Sequence, residues 1–358
     1  MFAVTGYKII ECIYKGNKDI VYKAIRSVDD TPVILKMPLS QHPNLSNIVM
    51  LKHEYEIQSK IQSKTVVKIY GIEQINNIPV IIMEDFGGTS LQNVINIKKL
   101  TINEFLKLAN NITEALNNIH KFNIVHNDIN PMNIIVNMET ATVKITDFGL
   151  AAMFSKKSQC VENNNSLGGT PNYISPEQTG RLNKPVDFRS DLYSLGVTFY
   201  QMLTSLLPFQ ATDGLGLIHS HLAIKPEPLY EVCEGIPRVL SDIVMKLMEK
   251  MAENRYQSAL GLKCDLQKCS DSLQSKKIIE YFSLAKDDFS DRFDISKELY
   301  GRDKEIEDLK ATFDRISKGE KEIMIIKGHS GIGKSALINE INKPIFIRQG
   351  HFITGKFD

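Results

Sequence analysis

An acid, an amide and a second acid stand at fixed spacing in this chain. Asp128 and Asn133 lie in His126-Asn127-Asp128-Ile129-Asn130-Pro131-Met132-Asn133, and Asp147 opens Asp147-Phe148-Gly149. One acid can handle the proton of an acceptor hydroxyl, while an amide and another acid hold magnesium on ATP, which is an arrangement for phosphoryl transfer. Taken singly, each Asp would read as a turn or a helix cap. Five specified positions in order, with strand-like residues 134–136 and 143–145 between them, do not fit that plainer reading.

Other elements must hold these groups in place. Thr101-Ile102-Asn103-Glu104 is a capping-box pattern: Thr101 accepts from the Glu104 amide while Glu104 reaches back. The helix it opens carries Phe105, Leu108, Ile112, Leu116 and Ile119 at helical spacing. That spacing predicts a core face, and the helix delivers the chain to His126. Residues 7–86 alternate β-rich runs with turns. The runs 9–14, 20–25, 33–37, 66–70 and 80–83 predict strands, and 47–62 predicts a helix between the third and fourth.

Composition sets the class. Lys plus Arg (43) nearly equals Asp plus Glu (42) in 358 residues, so no global field favours nucleic acid or an anionic membrane. Hydrophobic content of 42 % and charged content of 24 % predict a soluble globular chain of roughly two domains. No apolar run approaches the roughly 20 residues needed to span a bilayer. Residues 1–6 lack the layout of a secretion signal. Cys12, Cys160, Cys233, Cys264 and Cys269 form no Cys-x-x-Cys pair, which predicts reduced thiols in a cytoplasmic protein.

The loop, the strands and Asp-Phe-Gly together resemble the catalytic and metal-binding loops of eukaryotic-type protein kinases. The resemblance runs in order from Lys36 to Arg255. It implies an α+β bilobal fold over residues 1–275, with a β-rich small lobe to about residue 86 and a helical large lobe over 87–275. By position, Asp128 orients the incoming hydroxyl and accepts its proton, Asn133 and Asp147 ligate magnesium, and Lys36 meets the α- and β-phosphates. Without the resemblance, Lys36 would read as a snorkelling lysine at the end of a strand. Its helix partner comes from His53-Glu54-Tyr55-Glu56. The two acids lie about 200° apart on a helix, so only one can face Lys36, and the family register selects Glu54. Residues 81–88 resemble the segment joining the lobes, with adenine bonded to backbone from Glu84 to Phe86 and Met83 at the back of the pocket.

Gly168-Gly169-Thr170-Pro171-Asn172-Tyr173-Ile174-Ser175-Pro176-Glu177 resembles the peptide-docking segment of Ser/Thr protein kinases. Thr170 matches the threonine that approaches the catalytic Asp. The same resemblance implies that Glu177 pairs with Arg255 and that Asp191 braces the catalytic-loop backbone, although Asp191 could equally be a helix N-cap. A peptide platform disfavours a small-molecule kinase. Three departures stand out. Registering Val21 on the end of the phosphate-covering Gly-x-Gly-x-x-Gly-x-Val loop puts Tyr14, Gly16 and Asp19 at the glycine positions. One glycine survives, and Asp19 adds a charge that ATP does not favour. Asn127 replaces the arginine before the catalytic Asp, so activity is expected without phosphorylation of 150–168. Asn130 replaces a lysine that contacts the γ-phosphate. These losses keep a second reading open, an ATP-binding pseudokinase with a regulatory role.

Residues 276–300 read as a linker. Beyond it a helical pattern with Ile306, Leu309, Phe313 and Ile316 precedes a predicted strand at 322–327. Gly328-His329-Ser330-Gly331-Ile332-Gly333-Lys334-Ser335 then fits Gly-x-x-x-x-Gly-Lys-Ser. Its backbone, with Gly331 and Gly333, would cradle phosphate, Lys334 would reach the β- and γ-phosphates and Ser335 would bind magnesium. Residues 352–354 predict a second strand, so 301–358 reads as the start of an incomplete α/β P-loop module, without ATP hydrolysis of its own. Kinase domain, Gly301-Arg302…Glu305 and P-loop together resemble the N-terminal part of bacterial trifunctional Ser/Thr kinase, ATP-binding, sensor histidine kinase proteins. That resemblance implies signalling, protein substrates and further domains in a longer chain.

Overall fold

The computed structural model describes residues 4–40, 42–154, 169–182, 184–211, 213–288, 301–329, 332–341 and 344–345. The first 84 residues build an antiparallel sheet from β1 (Tyr7–Lys15), β2 (Asp19–Arg26), β3 (Thr31–Pro38), β4 (Ile69–Ile75) and β5 (Ile78–Glu84), in the order β1-β2-β3-β5-β4. Helix α1 (Leu45–Gln58) sits between β3 and β4 in sequence, and its N-cap Asn44 accepts from the Asn47 amide at 2.9 Å. Period-two alternation divides β5 between two clusters. Val80 and Ile82 join Ala24, Val33 and Leu35, while Ile81 and Met83 pack with Leu51 of α1 and Val67.

The predicted strand at 66–70 is displaced. Val67 donates to the Ile145 carbonyl (3.0 Å) and Ile145 donates to the Thr65 carbonyl (3.0 Å). This apolar run therefore ties the small lobe to the large one, and β4 begins only at Ile69.

The large lobe opens with β6 (Thr89–Ser90), α2 (Leu91–Ile97) and α3 (Ile102–Lys121). The capping box forms: the Thr101 hydroxyl accepts from the Glu104 amide at 3.2 Å and the Glu104 carboxylate accepts from the Thr101 amide at 2.9 Å. Phe105, Leu108, Ile112, Leu116 and Ile119 are all buried, each stabilising by about 1.5–3 kcal/mol. Short strands β7 (Ile124–Val125), β8 (Ile134–Asn137), β9 (Thr142–Ile145) and β10 (Ala152–Met153) carry the loops of interest. Helix α4 (Phe188–Thr204) is buried along nearly its whole length. Helices α5 (Gly214–Ala223), α6 (Leu229–Val232), α7 (Arg238–Leu247) and α8 (Ala259–Lys276) complete the lobe. At Gly196 a Cβ would come within 2.7 Å of Leu247 Cβ, so only glycine lets α4 and α7 approach this closely.

Residues 277–288, read from sequence as linker, instead pack back on α8. Asp288 accepts from the Gln257 amide (2.6 Å) and the Ser258 hydroxyl (2.7 Å), and Ala285 donates to Asp265 (2.7 Å). Ile279, Phe282 and Leu284 lie against the lobe's core.

Farther on, α9 (Asp303–Ile316) forms as the sequence indicates, and α10 (Lys334–Asn339) follows the Gly-Lys-Ser segment. The strand predicted at 322–327 does not form. A strand exists through its ladder partner, and among the described residues no strand ladder forms with this segment, whose Ile323 is 94 % exposed. The second strand, predicted at 352–354, lies outside the described residues. Cys12, Cys233, Cys264 and Cys269 are free thiols, and Cys160 also lies outside the described set.

Candidate active site

The loop between β7 and β8 takes its shape from α4. Asp191, one turn into that helix, accepts from the His126 amide (2.8 Å) and the Asn127 amide (2.8 Å), while His120 Nε2 lies 3.0 Å from it. The N-cap is a different residue, Asp187, which accepts from the Arg189 amide at 2.8 Å. His126 Nδ1 accepts from the Asp128 amide (3.3 Å), so its Nε2 carries the proton and donates to the Thr146 carbonyl (3.1 Å). The same ring packs edge-on against buried Phe148, centroids 4.8 Å apart.

Two non-glycine residues here are left-handed, Asn127 (φ 65°) and Asp147 (φ 66°). Such backbone costs about 1–3 kcal/mol and persists only where its surroundings over-determine it. Here the surroundings are the Asp191 carboxylate and the Phe148–His126 packing.

Asp128 presents its carboxylate in a fixed orientation. Oδ1 accepts from the Thr170 amide (2.8 Å) and hydroxyl (2.9 Å), and Oδ2 accepts from Asn133 Nδ2 (2.9 Å). Asn130 is a turn-forming amide: its Oδ1 accepts from the Met132 and Asn133 amides (2.9 and 3.3 Å), and its Nδ2 donates to Asp128 O (3.1 Å) and Thr170 Oγ1 (3.2 Å). Both ends of its side chain thus serve the loop, and the Nδ2 end also holds Thr170.

Across the cleft, β3 and α1 deliver Lys36 and Glu54. Lys36 Nζ donates to both Glu54 oxygens (2.9 and 2.7 Å) and to Asp147 Oδ1 (2.9 Å). Glu54 is 2 % exposed whereas Glu56 is exposed, as their separation around the helix requires. One ammonium therefore lies between two carboxylates. Burial alone would lower the Lys36 pKa, but Asp147 and Glu54 outweigh it and hold it above the ordinary value. Burial likewise works to raise Asp147, yet Lys36 keeps it below the usual carboxylate range. Glu54, fully desolvated, is pushed up to about 7 with Lys36 opposing.

The remaining predicted residues are placed as follows. Gly16 and Asp19 close the β1–β2 turn through a 2.9 Å backbone bond, with the Tyr14 ring against Gly16. Val21 pairs opposite Lys36. Met83 is buried at the end of β5. Glu84 accepts from Lys144 Nζ (2.5 Å) and the Lys68 amide (2.6 Å), and Lys144 lies 5.0 Å over the Phe86 ring. Asn137 Nδ2 donates to the Phe86 carbonyl at 3.1 Å, fixing the segment between lobes. Glu177, at the end of the segment that begins with Thr170, is clamped: Arg255 donates twice to it (2.7 and 2.9 Å), and the Ser190 hydroxyl adds a third bond at 2.6 Å. In the tail, Gly333 has φ 94° at the start of α10, and Lys334 Nζ donates to the Gly328 and His329 carbonyls, both at 2.8 Å. Gly331 and the Ser335 side chain lie outside what the structure describes.

Some contacts had no sequence signal. His53 Nε2 lies 2.8 Å from the Ala151 carbonyl and Asn127 Nδ2 donates to the Leu150 carbonyl (3.0 Å), so groups from both lobes hold the residues after Gly149. Gln178 Nε2 donates to Asn127 O at 2.7 Å.

The oxygen donors fit a hard divalent cation shared with phosphate. Asn133 Nδ2 is committed to Asp128, which leaves its carbonyl oxygen to face a cation, and Asp147 supplies a carboxylate. Magnesium typically takes one or two such ligands and completes its shell with phosphate oxygens and water. Among the described residues no group of three His, Cys, Asp or Glu could hold a metal alone.

Comparison with known proteins agrees with this geometry. Residues 7–265 match the protein kinase domain family, and residues 298–358 match the AAA ATPase domain family. A hybrid signal transduction histidine kinase G of Dictyostelium discoideum is 35 % identical over 74 % of this chain and 10 % of its own length. A probable serine/threonine-protein kinase of Clostridium perfringens is 33 % identical, over 73 % of this chain and 38 % of that protein. Serine/threonine-protein kinase PrkC of Bacillus subtilis is 28 % identical, over 74 % and 41 %. The chain thus spans well under half the length of these relatives. No helix among the described residues is long and apolar enough to cross a membrane. With a bilobal fold, a lysine–glutamate pair joined to the Asp-Phe-Gly acid, and a family match over residues 7–265, the chain belongs to the protein kinase family.

Proposed function

We propose that this chain transfers the γ-phosphate of ATP to serine and threonine hydroxyls of protein substrates, with magnesium as the divalent metal. The observation that carries this reading is the Asp128 carboxylate, oriented at once by Thr170 of the peptide platform and by Asn133 of the metal-binding pair. Magnesium supplies charge neutralisation on the phosphates when bound, and the remaining work belongs to side chains. Asp128 orients the substrate hydroxyl and takes its proton. Lys36, held by Glu54, positions the α- and β-phosphates. Asn133 and Asp147 hold the metal, and residues from Met83 to Phe86 receive the adenine. Pre-set geometry of this kind removes orientation entropy from the reaction barrier.

Thr170 and the Glu177–Arg255 clamp support a peptide substrate over a small molecule. The ties from Asn127 to the Leu150 carbonyl and from His53 to the Ala151 carbonyl support activity without phosphorylation of 150–168. Residues 301–358 supply the start of a P-loop module in which Gly331, Gly333, Lys334 and Ser335 approach phosphate. The whole belongs to a cytoplasmic signalling protein of bacterial type with further domains. A pseudokinase is the second reading, favoured by one observation, the Tyr14–Gly16–Asp19 lid. Phosphoamino-acid analysis of generic acceptors labelled from γ-³²P-ATP tests the proposal. Label in serine and threonine is expected; label confined to tyrosine, or to small molecules, would sink it.

A further inference from the structure

At the lid position where the kinase pattern carries its third glycine, this chain places Asp19. The carbonyl of Asp19 accepts from the Gly16 amide at 2.9 Å, which closes the turn. The Tyr14 ring lies against Gly16, a Cβ there falling 2.5 Å from its hydroxyl. Asp19 lines a cavity of about 30 Å³ together with Lys18, Lys36, Glu54, Asp147 and Gly149. Three carboxylates thus face two lysines where phosphate must pass. Burial raises the Asp19 carboxyl above its ordinary range, Lys36 opposes that, and Asp147 adds to it, so Asp19 is in electrostatic reach of the phosphate lysine and a metal-site acid.

We propose that Asp19 is a specificity-determining residue that disfavours metal-free ATP and makes nucleotide binding depend on a divalent cation. The inference rests on the kinase reading of this site. The physical reason is charge arithmetic. Repulsion from one fixed carboxylate scales with ligand charge, and a divalent cation removes about half of the roughly four negative charges on ATP. Lys36, already shared between Glu54 and Asp147, has little attraction left to offset a third acid.

Binding of radiolabelled ATP by equilibrium dialysis tests this, with every protein carrying Lys334→Ala so that only the kinase site is read. Affinity is measured in EDTA and in excess magnesium for the parent, Asp19→Asn and Asp19→Glu. Asp19→Asn is expected to tighten metal-free ATP by about tenfold or more and Mg-ATP by only about two- to threefold, with Asp19→Glu behaving as the parent. Equal gains under both conditions, or none, would overturn the inference while leaving the kinase site intact. No Mg-ATP binding by any of the three proteins would overturn both the site and the inference.

Discussion

Replacing Arg255 with methionine should loosen the peptide platform and the large lobe together. The Arg255 side chain is fully buried and donates to Glu177, to the Arg189 carbonyl (2.9 Å), the Glu249 carbonyl (2.7 Å) and the Lys250 carbonyl (3.1 Å), with its guanidinium 4.9 Å over the Tyr193 ring. Methionine keeps much of the volume and removes every donor. Glu177 is then a buried carboxylate with Ser190 as its remaining side-chain donor. Removing one partner of a buried pair costs about 3–5 kcal/mol. For a domain of this size each kcal/mol moves the melting temperature by roughly 2–4 °C, so the shift should be about 6–20 °C. Changing both partners, Glu177→Gln with Arg255→Met, leaves no orphan charge and should cost clearly less than the two single changes added together. Circular-dichroism melts of the four proteins measure this. Additive losses, or an Arg255→Met melt within about 2 °C of wild type, would refute the claim that this pair fixes the platform.

Two further outcomes follow from buried polar groups. Asp191→Asn can accept from only one of the His126 and Asn127 amides that its carboxylate now satisfies, so the variant should lose roughly 1–3 kcal/mol in chemical denaturation and turn over more slowly; wild-type stability and rate would contradict the bracing role. Lys250 is lowered to about 7, first by burial and then by the Arg255 charge. The folded state therefore holds fewer protons than the unfolded one between about 7 and the ordinary lysine value, and stability rises with pH across that window. Lys250→Met removes this term, so its melting temperature should gain more at pH 6 than at pH 9, and an equal change at both would refute the assignment.

What could be read from sequence was decided by where chemistry fixes residue type. The spacing of Asp128, Asn133 and Asp147 singled them out as a group, whereas Lys36 and the choice of Glu54 over Glu56 came from the family register, helix periodicity saying only that one of the two acids can face Lys36. Contacts between side chain and backbone at long range left no such mark. Asp288 returning to the Gln257 amide turns predicted linker into part of the lobe, and Val67 bonding Ile145 moves β4 three residues along. Asn130 read as the absence of a lysine. Its bonds to the loop and to Thr170 give it a positive role that no spacing rule could supply. The segment 322–327 has strand composition, yet among the described residues nothing supplies it a partner strand.

The most direct test of the central claim is the turnover of Asp128→Asn beside wild type, with saturating Mg-ATP and a protein acceptor. Loss of a positioned general base should lower kcat by about 10²–10⁴-fold while the ATP affinity stays near wild type, because Lys36, Asn133 and Asp147 are untouched. Equal phosphate incorporation by the two proteins would contradict the assignment of Asp128, and with it the account of how this site works.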